Sequence, residues 1–174
     1  YTQQGKYQEM MEYLQEYASV ITEGEKLICY CRNMAVDAVI HFYAGELREK
    51  GIPFECDMML PQNIGISDTD LCKIYGNLLE NAVDAVKDLL PEDKPYVKML
   101  TKVKNRKLLI EISNPYSNEI QRREKVFYST KHEGFGIGTV SVAEVVQRMG
   151  GYVVFNTEEG IFKVNIFLPV KTVQ

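Results

Sequence analysis

The spacing of apolar residues along the chain predicts four helices. In residues 4–22, apolar side chains recur every three or four positions, which places them in one stripe on a helix. Ser67 and Asp70 match the capping-box pattern that begins a helix, and Gly51 is suited to end one. The same spacing and these boundary signals predict the remaining helices at Met34–Glu49, Asp68–Leu89 and Thr139–Met149.

Shorter apolar runs between the helices predict strands. Leu108, Ile110 and Ile112 alternate with more exposed positions, as in a sheet that is covered on one face. The predicted strands are Ile52–Leu60, Tyr96–Lys104, Lys107–Ser113, Tyr152–Asn156 and Phe162–Leu168. A tight turn at Asn105-Arg106 joins the second of these strands to the third. Because strands and helices do not alternate regularly, the order favours an α+β two-layer sandwich over a βαβ repeat.

Residues 114–133 form the longest stretch without a sustained apolar period. The stretch contains Pro115, Ser117, Asn118 and a run of charges, so it is predicted to be a loop. A structureless loop of this length inside a compact domain is usually functional.

Composition narrows the class of protein. At 174 residues, with 45% hydrophobic and 25% charged residues, the chain suits one globular domain with an appended element. The net charge of −4 arises from interspersed charges, which argues against nucleic acid as a partner. No apolar run reaches the roughly 20 residues of a membrane helix and no signal peptide is recognisable, so we expect a soluble fragment whose larger parent protein can still span a membrane.

The four cysteines lack the spacing of a metal site. Cys29, Cys31, Cys56 and Cys72 contain no CxxC pair, and no histidines are placed to complete a zinc site. We therefore expect reduced thiols that pack in the core.

Three polar residues share one stripe of the third predicted helix. Asn77, Asn81 and Asp84 are spaced at i, i+4 and i+7. Since other charged residues fall near the same stripe, a solvated helix face would explain the pattern. The two asparagines favour a second interpretation, because an amide oxygen is a hard neutral ligand suited to Mg²⁺ that also holds phosphates.

A glycine-rich segment leads into the fourth predicted helix. Gly134, Gly136 and Gly138 alternate directly before the helix start, where close backbone approach and the helix dipole favour phosphate. A turn that simply joins a loop to a helix is the alternative. The spacing is not the GxGxxG of a Rossmann fold, there is no GK[ST] of a P-loop, and the VAIK, HRD and DFG motifs of protein kinases are absent from the sequence.

Taken together, the two motifs resemble those of the GHKL (Bergerat-fold) ATPases. Residues 76–85 resemble the N-box of that superfamily, and residues 131–138 resemble its second glycine box at the right separation. Within the superfamily, the chain looks most like the Agr-type quorum-sensing histidine kinases, a resemblance supported by Asp37-Ala38, by residues 66–72 and by residues 129–131. The resemblance implies a mixed, mostly antiparallel sheet covered on one face by helices, with an ATP lid at residues 115–133.

The resemblance also implies ATP and Mg²⁺ as cofactors and assigns a role to each matching residue. Asn81 is the expected Mg²⁺ ligand and Asn77 a neighbour of the phosphates. Asn114 stands where most of the superfamily has an aspartate that reads adenine, and its amide oxygen can still accept from the adenine amino group. The expected nucleotide-binding set is Asn77, Asn81, Asp84, Asn114, Thr130, Lys131, Gly134, Gly136 and Gly138.

Three departures from the superfamily pattern shape the functional prediction. Residues 114–118 lack both glycines of the first glycine box, and residues 160–162 lack a threonine that often supports the adenine contact. Asn77 replaces the glutamate that activates water in hydrolytic relatives, and an amide cannot act as a general base at neutral pH. The resemblance therefore implies phosphate transfer to a histidine rather than hydrolysis.

Neither histidine of the chain matches the phosphoacceptor. His41 lacks the acidic neighbour expected after that histidine, and His132 is interpreted as a solvated lid residue, with a phosphate contact as the alternative. The expectation is a catalytic domain at residues 23–174 that follows a remnant of the dimerisation and phosphotransfer helices at residues 1–22, for which an ordinary packed helix is the alternative.

The parent protein implied by the resemblance is a membrane-bound bacterial homodimer with this domain in the cytoplasm. Its partners are its own phosphoacceptor helices and a response regulator. A nucleotide-binding regulatory module, a hydrolytic GHKL ATPase and a non-nucleotide interaction domain are the alternatives.

Overall fold

The computed structural model describes residues 28–116 and 137–171, together with Gln8, Glu9, Glu12 and Tyr13. Its helices are α1 (Met34–Glu49), α2 (Asp68–Val86) and α3 (Ile137–Arg148), and a short 3₁₀ helix spans Pro91–Asp93. Its strands are β1 (Phe54–Met58), β2 (Val97–Lys104), β3 (Lys107–Pro115), β4 (Tyr152–Glu158) and β5 (Ile161–Pro169). In the described part of the chain, no helix is both long and apolar enough to cross a bilayer.

The strands form one open sheet in the order β1-β2-β3-β5-β4. β1 pairs in parallel with β2, and the other pairs are antiparallel. The β2–β3 connection is a two-residue turn in which Asn105 and Arg106 have φ values of 52° and 57°. Positive φ at both positions fits the twist of a tight hairpin, so the predicted turn is confirmed.

α1, α2 and α3 lie on one face of the sheet. α2 is the central helix, because it contacts α1, α3 and the middle strands β2 and β3. Leu108, Ile110 and Ile112 of β3 are buried beneath this layer, as their alternation predicts. The predicted two-layer α+β sandwich, with a mostly antiparallel sheet covered on one face, is confirmed.

Several element boundaries differ from the prediction. α2 ends at Val86 rather than near Leu89, because the chain turns there, with the Leu89 N–H donating to the Val86 carbonyl at 3.1 Å, before the 3₁₀ helix begins. β3 continues through Asn114 and Pro115, which were predicted to begin the loop, since both residues pair with β5. α3 begins at Ile137, two residues before the predicted start.

The α3–β4 connection requires glycine for a physical reason. Gly150 has φ 73°, and a Cβ on Gly151 would lie 2.4 Å from the carbonyl oxygen of Phe167. These two residues let β4 begin directly beneath the end of α3.

Candidate functional site

The N-box helix α2 begins at a defined cap. The Ser67 hydroxyl oxygen accepts from the Asp70 backbone N–H at 3.1 Å and donates to the Asp70 carboxylate at 3.0 Å. The predicted N-cap is thus confirmed, although the carboxylate accepts from the Ser67 hydroxyl and not from a backbone amide. The cap fixes the first residue of α2 and therefore the phase of every later turn.

One face of α2 is sealed against the sheet and the neighbouring helices. This face is apolar apart from one tyrosine hydroxyl and comprises Leu71, Ile74, Tyr75, Leu78, Leu79, Ala82, Val83 and Val86. Asn77 and Asn81 lie off this face and are half-buried, whereas Asp84 is exposed. The predicted stripe thus lies outside the sealed face of α2 and is partly accessible to a ligand.

The side chain of Asn77 is held by its own helix. Its amide nitrogen donates to the Lys73 carbonyl at 2.7 Å. The amide oxygen is then the atom that remains to meet a ligand. Asp84 behaves differently, since its carboxylate accepts from the Lys87 ammonium at 2.7 Å, a hydrogen bond that raises the pKa of Lys87.

Carboxylates surround the C-terminal half of the stripe. Burial, followed by the charges of Glu80, Glu46 and Asp84, raises the pKa of Tyr43 on the facing side of α1. One buried oxygen of Glu46 has no hydrogen-bond partner within the described ranges. Glu46 and Glu80 thus bring negative charge close to Tyr43, whereas the carboxylate of Asp84 is paired with the Lys87 ammonium.

Asn114 is the last residue in the inward-facing row of β3. It is 1% exposed, pairs in register with Phe162 of β5 and lies on the side of the sheet that carries α2. Its amide nitrogen donates to the Pro115 carbonyl at 2.9 Å. This contact orients the amide and leaves its oxygen as an acceptor, which is the role predicted for it.

The direction of α3 follows from one ion pair. The Arg148 guanidinium in the last turn of α3 lies 2.5 Å from the Asp70 carboxylate in the first turn of α2. Because α3 packs along α2, its N-terminal end must be directed toward the later turns of α2. Ile137 precedes Arg148 by as many residues as Asn81 follows Asp70, which is the spacing that antiparallel packing needs to bring the start of α3 to the level of Asn81.

The remaining predicted binding residues divide into two groups. Gly138 lies in the first turn of α3. Thr130, Lys131, Gly134 and Gly136 lie outside the described residues, as do His132 and most of the predicted lid.

The other residues singled out in the sequence have structural surroundings. His41 is 7% exposed and contacts the Ile28 carbonyl, so it is buried. The four cysteines are free thiols, of which Cys29 is exposed rather than packed in the core. Burial raises the pKa of Cys31 and Cys56 to about 12 each.

Two of the buried polar residues that were not assigned roles from the sequence join separate elements. Asn33 is the N-cap of α1, its side chain accepting from the Val36 N–H at 2.9 Å, and it also reaches α2. An asparagine directly before the first periodic residue of a helix is a recognisable cap signal. Thr101 of β2, hydrogen-bonded to Tyr75, gave no such signal because its partner is distant in sequence.

Two open cavities lie away from the asparagine stripe. One, of about 340 Å³, lies between Tyr30, Arg48 and Phe54, and the other, of about 380 Å³, lies on the uncovered sheet face beside Lys98 and Glu111. Neither contains a predicted binding residue. The candidate site is therefore identified by its side chains and not by cavity size.

Comparisons with known proteins find matches that include the part of the chain described above. A family model described as "GHKL domain" matches residues 66–169, whereas comparison with curated proteins finds no significant match. The nucleotide-free catalytic domain of the histidine kinase ThkA superposes with TM-score 0.55 and 18% identity, over 79% of this chain and 91% of that chain. Full-length ShkA in complex with AMPPNP gives TM-score 0.57 and 19% identity, over 80% of this chain and 30% of that chain. The Acinetobacter baumannii histidine kinase AdeS gives TM-score 0.56 and 13% identity, over 94% of this chain and 77% of that chain.

Proposed function

The chain belongs to the GHKL family, and on that premise we propose that it is the ATP-binding catalytic domain of a sensor histidine kinase. The observation that carries the proposal is the placement of Asn77 and Asn81 on the unsealed edge of α2, on the same side of the sheet as Asn114. The start of α3 is proposed to direct its free amides toward that edge, where they would meet the phosphates.

Asn81 is the proposed Mg²⁺ ligand, and the negative surroundings of α2 support a metal requirement. When bound, Mg²⁺ would neutralise charge on the phosphates and leave most of its coordination to water and nucleotide. ATP alone would meet the charges of Glu46 and Glu80 without that compensation. We therefore expect binding to depend strongly on Mg²⁺.

The residues near the terminal phosphate favour transfer to a protein over hydrolysis. Asn77 has its nitrogen bound to the Lys73 carbonyl and offers only a neutral oxygen, which cannot remove a proton from water. Lys131 and Thr130, with the amides near Gly134, Gly136 and Gly138, are proposed to hold the triphosphate. The domain then acts by positioning the phosphate and stabilising its charge.

The nucleophile is proposed to come from another segment. His41 is buried against the Ile28 carbonyl, which withdraws it from an incoming phosphate. In this proposal residues 1–22 derive from the dimerisation and phosphotransfer helices of a membrane-bound, dimeric parent kinase of the Agr-type group. The parent would pass its phosphate to a response regulator in the cytoplasm.

A transfer assay with radiolabelled γ-phosphate tests the proposal. The chain would be incubated with Mg-ATP alone and with Mg-ATP plus a separate polypeptide that carries a phosphoacceptor helix of an Agr-type kinase. In a third mixture, the Asn81→Ala variant would replace the unmutated chain beside the same polypeptide. We expect acid-labile label on the partner only in the second mixture. Self-labelling, or steady ATP turnover without a partner, would contradict the assignment of nucleophile and base.

One observation favours a second candidate function. β3 continues through Pro115 where the superfamily has its first glycine box, so the chain leaves the adenine side along a different path. A nucleotide-binding regulatory module without phosphotransfer would show tight Mg-ATP binding and an unlabelled partner.

A further inference from the structure

The backbone that enters α1 is held by a buried carboxylate. One oxygen of Asp37 accepts from the backbone N–H groups of Tyr30 at 2.7 Å and Cys31 at 3.0 Å. Asp37 is only 5% exposed, so its charge is removed from water and depends on these donors. Asp37 lies in the first turn of α1, where the helix dipole also favours a carboxylate, so a buried charge is tolerated here because these interactions replace its contact with water.

His41 extends the attachment one turn further along α1. Its Nε2 contacts the Ile28 carbonyl and lies 3.8 Å from the second carboxylate oxygen of Asp37. The Tyr30 ring packs edge-on against the His41 ring, with centroids 4.8 Å apart. Residues 28–31 are thus fixed to α1 through both backbone and side chains.

Asn33 connects the same segment to the N-box helix. Its amide nitrogen donates to the Asp68 carboxylate at 2.9 Å and to the Gln62 carbonyl at 3.1 Å, while its oxygen caps α1. Asp68 is the first residue of α2. Asn33 is only 2% exposed, although its partners Asp68 and Gln62 are exposed residues.

We propose that Asp37 and Asn33 form a clasp that couples the backbone of residues 28–31 to the start of the N-box helix. Asp37 holds residues 28–31 by hydrogen bonds. Asn33, which lies two residues further along, links this segment to Asp68 by its own hydrogen bond. The phosphate-facing stripe of α2 is then set partly by how the preceding segment is held. The consequence for nucleotide binding rests on the proposed function, and both residues are positioning residues that touch no ligand.

Amide hydrogen exchange, followed by NMR on the 174-residue chain, tests the coupling without nucleotide. Asp37→Ala should speed exchange at Tyr30 and Cys31 and also, by about threefold or more, at Asp70 and Leu71 in the first turn of α2. Asp37→Asn keeps an oxygen for both N–H donors and should leave α2 exchange within about twofold of the parent chain.

Asn33→Ser isolates the connection to α2. Serine still caps α1 but loses both donor bonds, so this variant should speed exchange at Asp70 and Leu71, and adding Asp37→Ala should cause no further increase there. Asn156→Ser, on the uncovered face of β4, is the matched control. Faster exchange confined to residues 28–31 in Asp37→Ala, with Asp70 and Leu71 unchanged, would overturn the proposal.

Calorimetry with Mg-ATP supplies a separate readout. Asp37→Ala and Asn33→Ser should each weaken affinity by about three- to tenfold, whereas Asp37→Asn and Asn156→Ser should not. Unchanged affinity in the first two variants would overturn the claim that the clasp reaches the nucleotide site. If the unmutated chain itself fails to bind Mg-ATP, the proposed function fails, and the exchange data alone decide whether the clasp couples the two segments.

Discussion

The phenolic oxygen of Tyr75 lies 3.0 Å from the hydroxyl oxygen of Thr101 in the sealed interior, and this contact joins the N-box helix to β2. Neither residue has measurable exposure to solvent. Because Tyr75 stands two residues before Asn77, the hydrogen bond fixes the rotation of α2 that turns the asparagine stripe away from the core.

Removing either hydroxyl should therefore destabilise the domain. Tyr75→Phe leaves the Thr101 hydroxyl buried without its partner, at an expected cost of about 1–3 kcal/mol in the free energy of unfolding. Urea unfolding followed by circular dichroism measures the loss. The double variant Tyr75→Phe/Thr101→Val should recover part of it, since no polar group is then stranded; strictly additive losses would show that the two hydroxyls do not depend on each other.

Asn114→Asp should separate stability from adenine recognition. A carboxylate here is buried and faces the Pro115 carbonyl without a hydrogen to donate, so the nucleotide-free domain should lose about 1–3 kcal/mol of stability. Affinity for ATP should be preserved or increased, because a carboxylate is the stronger acceptor for the adenine amino group. Thermal unfolding and calorimetry give the two quantities. A tenfold loss of ATP affinity with the fold intact would mean that Asn114 does not face adenine.

Thiol reactivity should follow burial. Burial, the largest cause, raises the pKa of Cys31 and Cys56 to about 12 and that of Cys72 to about 11, so these thiols remain protonated at pH 8.5. Alkylation proceeds through the thiolate, and the exposed Cys29 should be modified first by iodoacetamide. Mass spectrometry of a time course at pH 8.5 and pH 10 identifies the order.

The raised pKa values of these thiols also determine whether the stability of the folded domain rises or falls with pH. A thiol whose pKa is higher in the folded state than its ordinary value of 9.0 contributes stability below pH 9, and that contribution is lost as pH rises toward 11 to 12. Rapid modification of Cys31 at pH 8.5 without unfolding would contradict its burial.

The helices and strands of this fold are largely determined by local sequence and could be predicted from it. Met34–Glu49 was predicted with both ends correct, because the apolar period and Gly51 after it act within a few residues. The extension of β3 through Asn114 and Pro115 was not predictable, since proline usually ends a strand and the pairing partner Ile161 lies far along the chain.

Less of the candidate site than of the fold could be predicted from the sequence. Spacing alone placed Asn77 and Asn81 on one stripe, and the burial of the opposite face agrees both with a solvated face and with a ligand site. The contact between Asn33 and Asp68 could not be inferred, because the two residues are 35 positions apart and the hydrogen bond depends on how α1 and α2 pack. Local patterns specify elements, whereas such contacts are decided by tertiary structure.

The central claim is that Asn81 holds the metal of a bound Mg-ATP. Asn81 is half-buried and lies outside the sealed face of α2, so replacing it with alanine should leave the fold and the unfolding midpoint nearly unchanged. Lys73→Ala, on an exposed residue of the same helix, is a control for loss of helix-surface polarity.

Isothermal titration of ATP, with and without Mg²⁺, tests this claim most directly. The account predicts binding to the unmutated chain that requires Mg²⁺ and is abolished by Asn81→Ala, because the proposed protein ligand to a largely hydrated ion is removed. Equal ATP affinity in the Asn81→Ala variant and the unmutated chain, or binding that ignores Mg²⁺, would contradict it.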